Sequence, residues 1–196
     1  NFIDGTVGQG GHTLLILEKN APEGRVLGID FDSLQIEQAK SVLSAYEKRI
    51  VLESSSYIHM QEVVTKHQFA PVHGILLDVG FSSWHLENAK RGFSFLCDEV
   101  LDMRYSSDTL LTAQKIVNEY PLVKLQELFQ NYGEERFASS IAKEIIESRK
   151  IRKITSTLEL LEVIKKAIPP KFLHGKIHYA TRVFQALRIE VNEELK

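Results

Sequence analysis

Residues 4–12 read DGTVGQGGH, and they follow the apolar pair Phe2 and Ile3 and precede the apolar run Leu14, Leu15, Ile16 and Leu17. A short strand ending on an acidic residue, a turn with four glycines, and then a helix is the order found at the first corner of a doubly wound α/β sheet. In such sheets that corner binds a nucleotide or nucleoside. Glycines at the corner let backbone approach a ligand closely and adopt φ angles closed to other residues. A glycine-rich stretch by itself also makes an ordinary tight turn, so its meaning depends on the elements around it.

The rest of the first half is a series of strand and helix units. Strands are predicted from the opening residues to Asp4, at Arg25 to Asp30, at Ile50 to Glu53 and at Val72 to Asp78, with helices at Thr13 to Lys19, Ser33 to Tyr46 and Ile58 to His67. Short apolar strands alternating with helices predict a parallel sheet buried on both faces. Ligands bind such sheets beyond the carboxyl ends of the strands, where Asp4, Asp30 and Asp78 fall. From Phe81 to Met103 the periodicity stops, and an aromatic-rich ordered loop is expected. Helices then dominate: Thr112 to Asn118, Pro121 to about Gly133, a stripe of Phe137, Ile141 and Ile145, a run opened by Ser156 and Glu159 at capping-box spacing and closed by Pro169 and Pro170, and Ala180 to Leu195. Four strands are few for a doubly wound sheet, so further strands are expected after Lys196, and the chain is expected to be a fragment or a short form.

Composition narrows the class. At 196 residues the chain can bury a sizeable core. Its single cysteine, Cys97, rules out an internal disulfide framework and a cysteine-rich metal site. No apolar run approaches the roughly 20 residues of a membrane span, and no signal-peptide pattern is present, which makes a reducing, cytoplasmic compartment the expectation. Charge is unevenly spread. Residues 1–90 carry seven basic and eleven acidic side chains, whereas residues 136–188 carry twelve basic and four acidic. An acidic first half followed by a basic segment fits a small-ligand site coupled to a polyanion surface; a solvated face of basic helices is the plainer alternative.

Individual residues carry the chemistry. Asp30 lies 20 positions after Gly10, where a carboxylate can accept hydrogen bonds from both ribose hydroxyls of an adenosyl or dinucleotide ligand. Asp32 beside it reads as a helix N-terminal residue. Asp78 can accept a hydrogen bond from an amino group on a cofactor or a base. Tyr57, just past the third strand, offers a face for an adenine ring or a place in the core. His174 and His178 are four apart but lack a third ligand, so no metal is assigned.

Taken together, seven stretches resemble one family, the bacterial small-subunit (16S) ribosomal RNA cytosine-N4 methyltransferases, or MraW-like enzymes, which also have organellar relatives. They are DGTVGQGGH (4–12), GIDFD (28–32), GILLDVGFSS (74–83), RGFSF (91–95), LDMR (101–104), YGEERFA (132–138) and ATRVFQALRIEVNEEL (180–195). The resemblance implies a class I methyltransferase fold, a Rossmann-like doubly wound sheet incomplete in this chain, with an inserted and mostly helical domain. Residues 1–104 would form a partial donor-binding core, 105–178 an RNA-recognition insertion, and 179–196 the return to the core. It implies S-adenosylmethionine as cofactor, bound by Gly10, Gly11 and His12 at the turn, Asp30 at the ribose, Tyr57 at the adenine, and Asp78 with His85 completing the pocket. Trp84 and His85 stand where the family usually has Pro-Gln, and Tyr179 stands where proline is usual.

The implied partner is small-subunit ribosomal RNA, with no membrane, in the cytoplasm or an organellar matrix. Asp78 is the catalytic candidate, as the acceptor for a cytosine amino group. There is no Asn/Asp-Pro-Pro-aromatic motif of the kind many amino methyltransferases use. The basic residues Arg149, Lys150, Arg152, Lys153, Lys165, Lys166, Lys171 and Lys176 are the expected phosphate contacts, with Trp84, Phe93 or Phe95 available for base stacking. Two other readings stay open at this point: an NAD-dependent Rossmann oxidoreductase, because a glycine turn plus Asp30 suits NAD as well, and a non-catalytic RNA-binding or ribosome-assembly module.

Overall fold

The computed structural model describes residues 1–80, 83–87 and 90–195, with the side chains of 83 and 87 left aside. Within the string 74–83, Phe81 and Ser82 lie outside the described residues, as does Lys196. The chain forms two compact units, residues 1–82 and 83–196.

The first unit is a four-stranded parallel sheet. Its strands are β1 (Phe2–Asp4), β2 (Val26–Asp30), β3 (Ile50–Ser54) and β4 (Gly74–Leu76), in the order β3-β2-β1-β4. The helices α1 (Gly11–Lys19), α2 (Ser33–Val42) and α3 (Met60–Lys66) connect them. Because successive side chains on a strand point to opposite faces, β2 divides its residues between two cores. Val26 packs with Leu17 of α1 and with Ile36, Ala39 and Leu43 of α2 and its exit, whereas Leu27 and Ile29 pack with Ile3, Val63 of α3 and Phe69. Helices on both sheet faces, with β1 central and β2 and β4 flanking it, are the doubly wound arrangement the sequence predicts.

Two details differ from the sequence reading. The fourth strand is Gly74–Leu76 rather than running from Val72 to Asp78; Asp78 therefore lies in the loop beyond it. Burial on both faces holds for β1 and β2 but not for β4, where Ile75 is exposed, as are Leu77 and Val79 beyond it.

The second unit is helical, with α4 (Ser83–Glu87), α5 (Ala113–Glu119), α6 (Leu122–Asn131), α7 (Ala138–Ile151), α8 (Thr157–Ala167) and α9 (Thr181–Asn192). One core joins α5 to α9, with Ile116, Leu125, Phe129, Ile141, Ile145, Leu160, Ile164 and Leu187 inside it. Phe93, Leu101 and Met103 belong to this same core. The compact units thus divide at 82/83, where the sequence reading placed domain boundaries at 104/105 and 178/179. The reason is packing: Phe93, Leu101 and Met103 of the aperiodic stretch 90–104 are buried among the helices. Within 81–103, expected to be a loop throughout, α4 is a short helix.

Candidate active site

The site residues of the first unit lie at the carboxyl ends of its strands. After Asp4 the chain turns at once, held at both sides: Gly5 N–H donates to Leu76 O (2.9 Å), and Val7 N–H donates to Ile29 O (3.0 Å). The turn closes on Gly10, which caps α1 with φ +92°, a left-handed conformation natural to glycine. A Cβ at Gly10 would lie 2.9 Å from Leu43 Cδ1, whereas one at Gly11 would meet nothing within 4 Å. Gly11 and His12 therefore begin the helix beside open space.

Asp30, the last residue of β2, is held by backbone. Its Oδ2 accepts from Gly8 N–H (2.8 Å) and its Oδ1 from Asp32 N–H (2.9 Å). Two backbone N–H groups thus aim the carboxylate at the carboxyl end of β2. Asp32 is the N-cap of α2, accepting from Leu34 N–H at 3.0 Å, in agreement with its sequence assignment. Tyr57 opens the short 3₁₀ turn after β3, and its Cβ lies 3.4 Å from where a Cβ on Gly5 would stand. Tyr57 is thus beside the glycine turn.

Asp78, in the loop after β4, donates its N–H to Thr6 Oγ1 (2.8 Å). Its carboxylate is open, with 70% of the side chain exposed, and Oδ2 lies 4.0 Å from Nδ1 of the equally open His12 (57%). Beneath them Asp4 is fully buried, accepting from Thr13 Oγ1 (2.6 Å) and Thr6 N–H (3.2 Å). Burial pushes the Asp4 carboxyl above its ordinary value, and the bonds from Thr13 and Thr6 offset part of that effect. Thr6 and Thr13 are functional candidates that the sequence reading passed over. The available signal was a hydroxyl two residues after Asp4 and another on the first turn of the helix, just before the apolar run Leu14 to Leu17.

The structure brings Gly10, Gly11, His12, Asp30, Tyr57 and Asp78 to one end of one sheet. His85 belongs to the second unit, where it is 6% exposed and its ring lies 5.1 Å from Phe93, 4.9 Å from Tyr105 and 5.6 Å from Trp84. Phe93 stacks on Tyr105 at 5.5 Å inside the core and is not available to a base. Phe95 stacks on His178 at 4.5 Å. The basic set also divides. Arg149 is structural, its guanidinium donating to Val117 O and Tyr120 O at the end of α5 (2.9 and 2.8 Å). Lys150, Arg152 and Lys165 pair with Glu147, Glu159 and Glu162. Among the described residues Lys153, Lys166, Lys171 and Lys176 are exposed and carry no ion pair with an acidic side chain.

Among the described residues, no group of three or more His, Cys, Asp and Glu side chains is placed to hold a metal ion. No described helix is long and apolar enough to cross a membrane.

A parallel sheet in this order, with a glycine turn after β1 and a backbone-held aspartate closing β2, defines a Rossmann-like fold of the class I methyltransferase type. The chain belongs to the MraW methylase family, which it matches over residues 1–196. It is 47% identical over 195 residues to the ribosomal RNA small subunit methyltransferase H of Sulfurihydrogenibium sp. (strain YO3AOP1), covering 100% of this chain and 66% of that protein. The protein of the same name from Fervidobacterium nodosum is 45% identical over 197 residues, with coverage of 100% and 66%. That from Syntrophotalea carbinolica is 43% identical over 194 residues, with coverage of 99% and 62%. The chain therefore spans a little under two thirds of the length of these relatives. The oxidoreductase and non-catalytic readings gain nothing from this membership.

Proposed function

We propose that the protein is an S-adenosylmethionine-dependent methyltransferase acting on the exocyclic N4 of a cytosine in small-subunit ribosomal RNA. The observation that carries this reading is the gathering of Gly10, Gly11, His12, Asp30, Tyr57 and Asp78 at the carboxyl end of the sheet, in a chain whose relatives bear the name ribosomal RNA small subunit methyltransferase. The residues suit the donor. The open space at Gly11 admits its methionine end, the backbone-aimed Asp30 carboxylate meets its ribose hydroxyls, and Tyr57 lies by the turn to meet its adenine. When bound, the donor supplies a methyl group already activated by a positive sulfonium.

What falls to the protein is alignment and a hydrogen-bond acceptor. A cytosine amine is a poor nucleophile because its lone pair is delocalised into the ring. An acceptor on its N–H localises that pair, and a proton must leave as the new N–C bond forms. Asp78 has the exposed carboxylate to accept that N–H, and His12 Nδ1 lies 4.0 Å from its Oδ2. The domain scheme of a donor-binding core, an RNA-recognition insertion at 105–178 and a return at 179–196 is part of the same proposal. Lys153, Lys166, Lys171 and Lys176 would serve as phosphate contacts that give affinity without choosing a base.

Asp78→Asn in the intact protein tests the assignment. The expected result is a fall in methyl transfer of about 100-fold, the scale of a lost positioned acid-base group; transfer and donor affinity both at wild-type levels would refute it.

A further inference from the structure

Asp78 stands two residues past Leu76, the last paired residue of β4, so the sheet does not hold it. Its backbone N–H is instead tied to the Thr6 hydroxyl at 2.8 Å. Thr6 is in turn fixed from below. Its own N–H donates to Asp4 Oδ1 (3.2 Å), and the other Asp4 oxygen accepts from Thr13 Oγ1 on α1 at 2.6 Å. Gly5 N–H to Leu76 O and Val7 N–H to Ile29 O hold the residues on either side of Thr6. A buried carboxylate that organises two threonines thus ends in a hydroxyl holding the loop that carries Asp78. Backbone groups supply the strand-to-strand bonds here, and the Thr6 hydroxyl is a side-chain link from the glycine turn to that loop.

We propose that Thr6 is a positioning residue for methyl transfer: with its backbone N–H held by the Asp4 carboxylate that Thr13 also bonds, its hydroxyl fixes the backbone at Asp78 and thereby places the Asp78 carboxylate beside His12. The inference rests on the role proposed for Asp78 in catalysis. A displacement of about 1 Å at a reacting group can cost on the order of 100-fold in rate, so a latch of this kind affects turnover more than ligand affinity.

The test compares Thr6→Val, which keeps the shape and removes the hydroxyl, with Thr6→Ser, which keeps the hydroxyl. The measurements are amide hydrogen exchange at Asp78, S-adenosylmethionine affinity by calorimetry, and kcat and KM for methyl transfer to small ribosomal subunits. Thr6→Val is expected to speed exchange at Asp78 by about tenfold, the scale of one lost hydrogen bond, and to lower kcat by at least as much, with donor affinity and KM within about threefold. Thr6→Ser is expected to restore slow exchange and most of kcat. Unchanged exchange or unchanged kcat in Thr6→Val would overturn the proposal, and so would a Thr6→Ser variant as impaired as Thr6→Val. Should Thr6→Val not fold, wild-type-like exchange at Asp78 in Thr6→Ala would overturn it equally. Altered exchange in Thr6→Val with a wild-type protein that transfers no methyl to cytosine would support the latch and contradict the proposed reaction.

Discussion

Asp4 shows how one residue can serve structure against its own electrostatics. It sits at the end of β1 with no exposed surface, and burial raises its carboxyl above the ordinary value of 3.8. For an acid with a raised folded value, the stability contribution is present at low pH and is lost as pH rises through that value. Asp4→Asn removes the titration. Urea unfolding of both proteins across about pH 4 to 8 should show wild type losing stability relative to the variant as pH rises; a pH-independent difference would contradict the burial argument. The acidic end of β1 was legible in the sequence, but its isolation from water was not, because that depends on α1 laying Thr13 over it. Arg149 shows the opposite case. In the sequence it is one cation in a basic run, whereas in the fold its side chain reaches the carbonyls that end α5. Reach of that kind is set by tertiary packing and leaves no local pattern.

At the scale of elements, local chemistry was readable and partner-dependent chemistry was not. The capping box that opens α8 forms as its spacing predicts: Ser156 Oγ accepts from Glu159 N–H, and Glu159 Oε2 accepts from the N–H groups of Thr155 and Ser156. Those bonds from Thr155 lead the causes that hold the Glu159 carboxyl below its ordinary value. Ser156→Ala should lower stability by about 1 kcal/mol, measured as a shift in the urea midpoint with unchanged slope; no shift would mean the cap is dispensable. By contrast, the apolar string from Val72 to Leu77 does not encode which of its residues pair with β1, and only Gly74, Ile75 and Leu76 do. The aperiodic stretch after α4 likewise concealed its place in the helical core, since Phe93, Leu101 and Met103 keep no regular spacing.

For the whole molecule, the parallel doubly wound sheet, the glycine turn and Asp30 could all be read from residues 1–80, because a doubly wound sheet ties its ligand site to its own connections. Membership of the MraW methylase family extends that reading across both units. The central claim is that the donor site at the carboxyl end of the sheet serves methylation of a cytosine amine in ribosomal RNA. It is tested most directly by incubating the intact protein with S-adenosylmethionine tritiated in the methyl group and unmethylated small ribosomal subunits, then digesting the RNA to nucleosides. The account predicts label in N4-methylcytidine, and its loss with Asp30→Ala through weakened donor binding. Label on the cytosine ring carbon, or in another nucleoside, would contradict it.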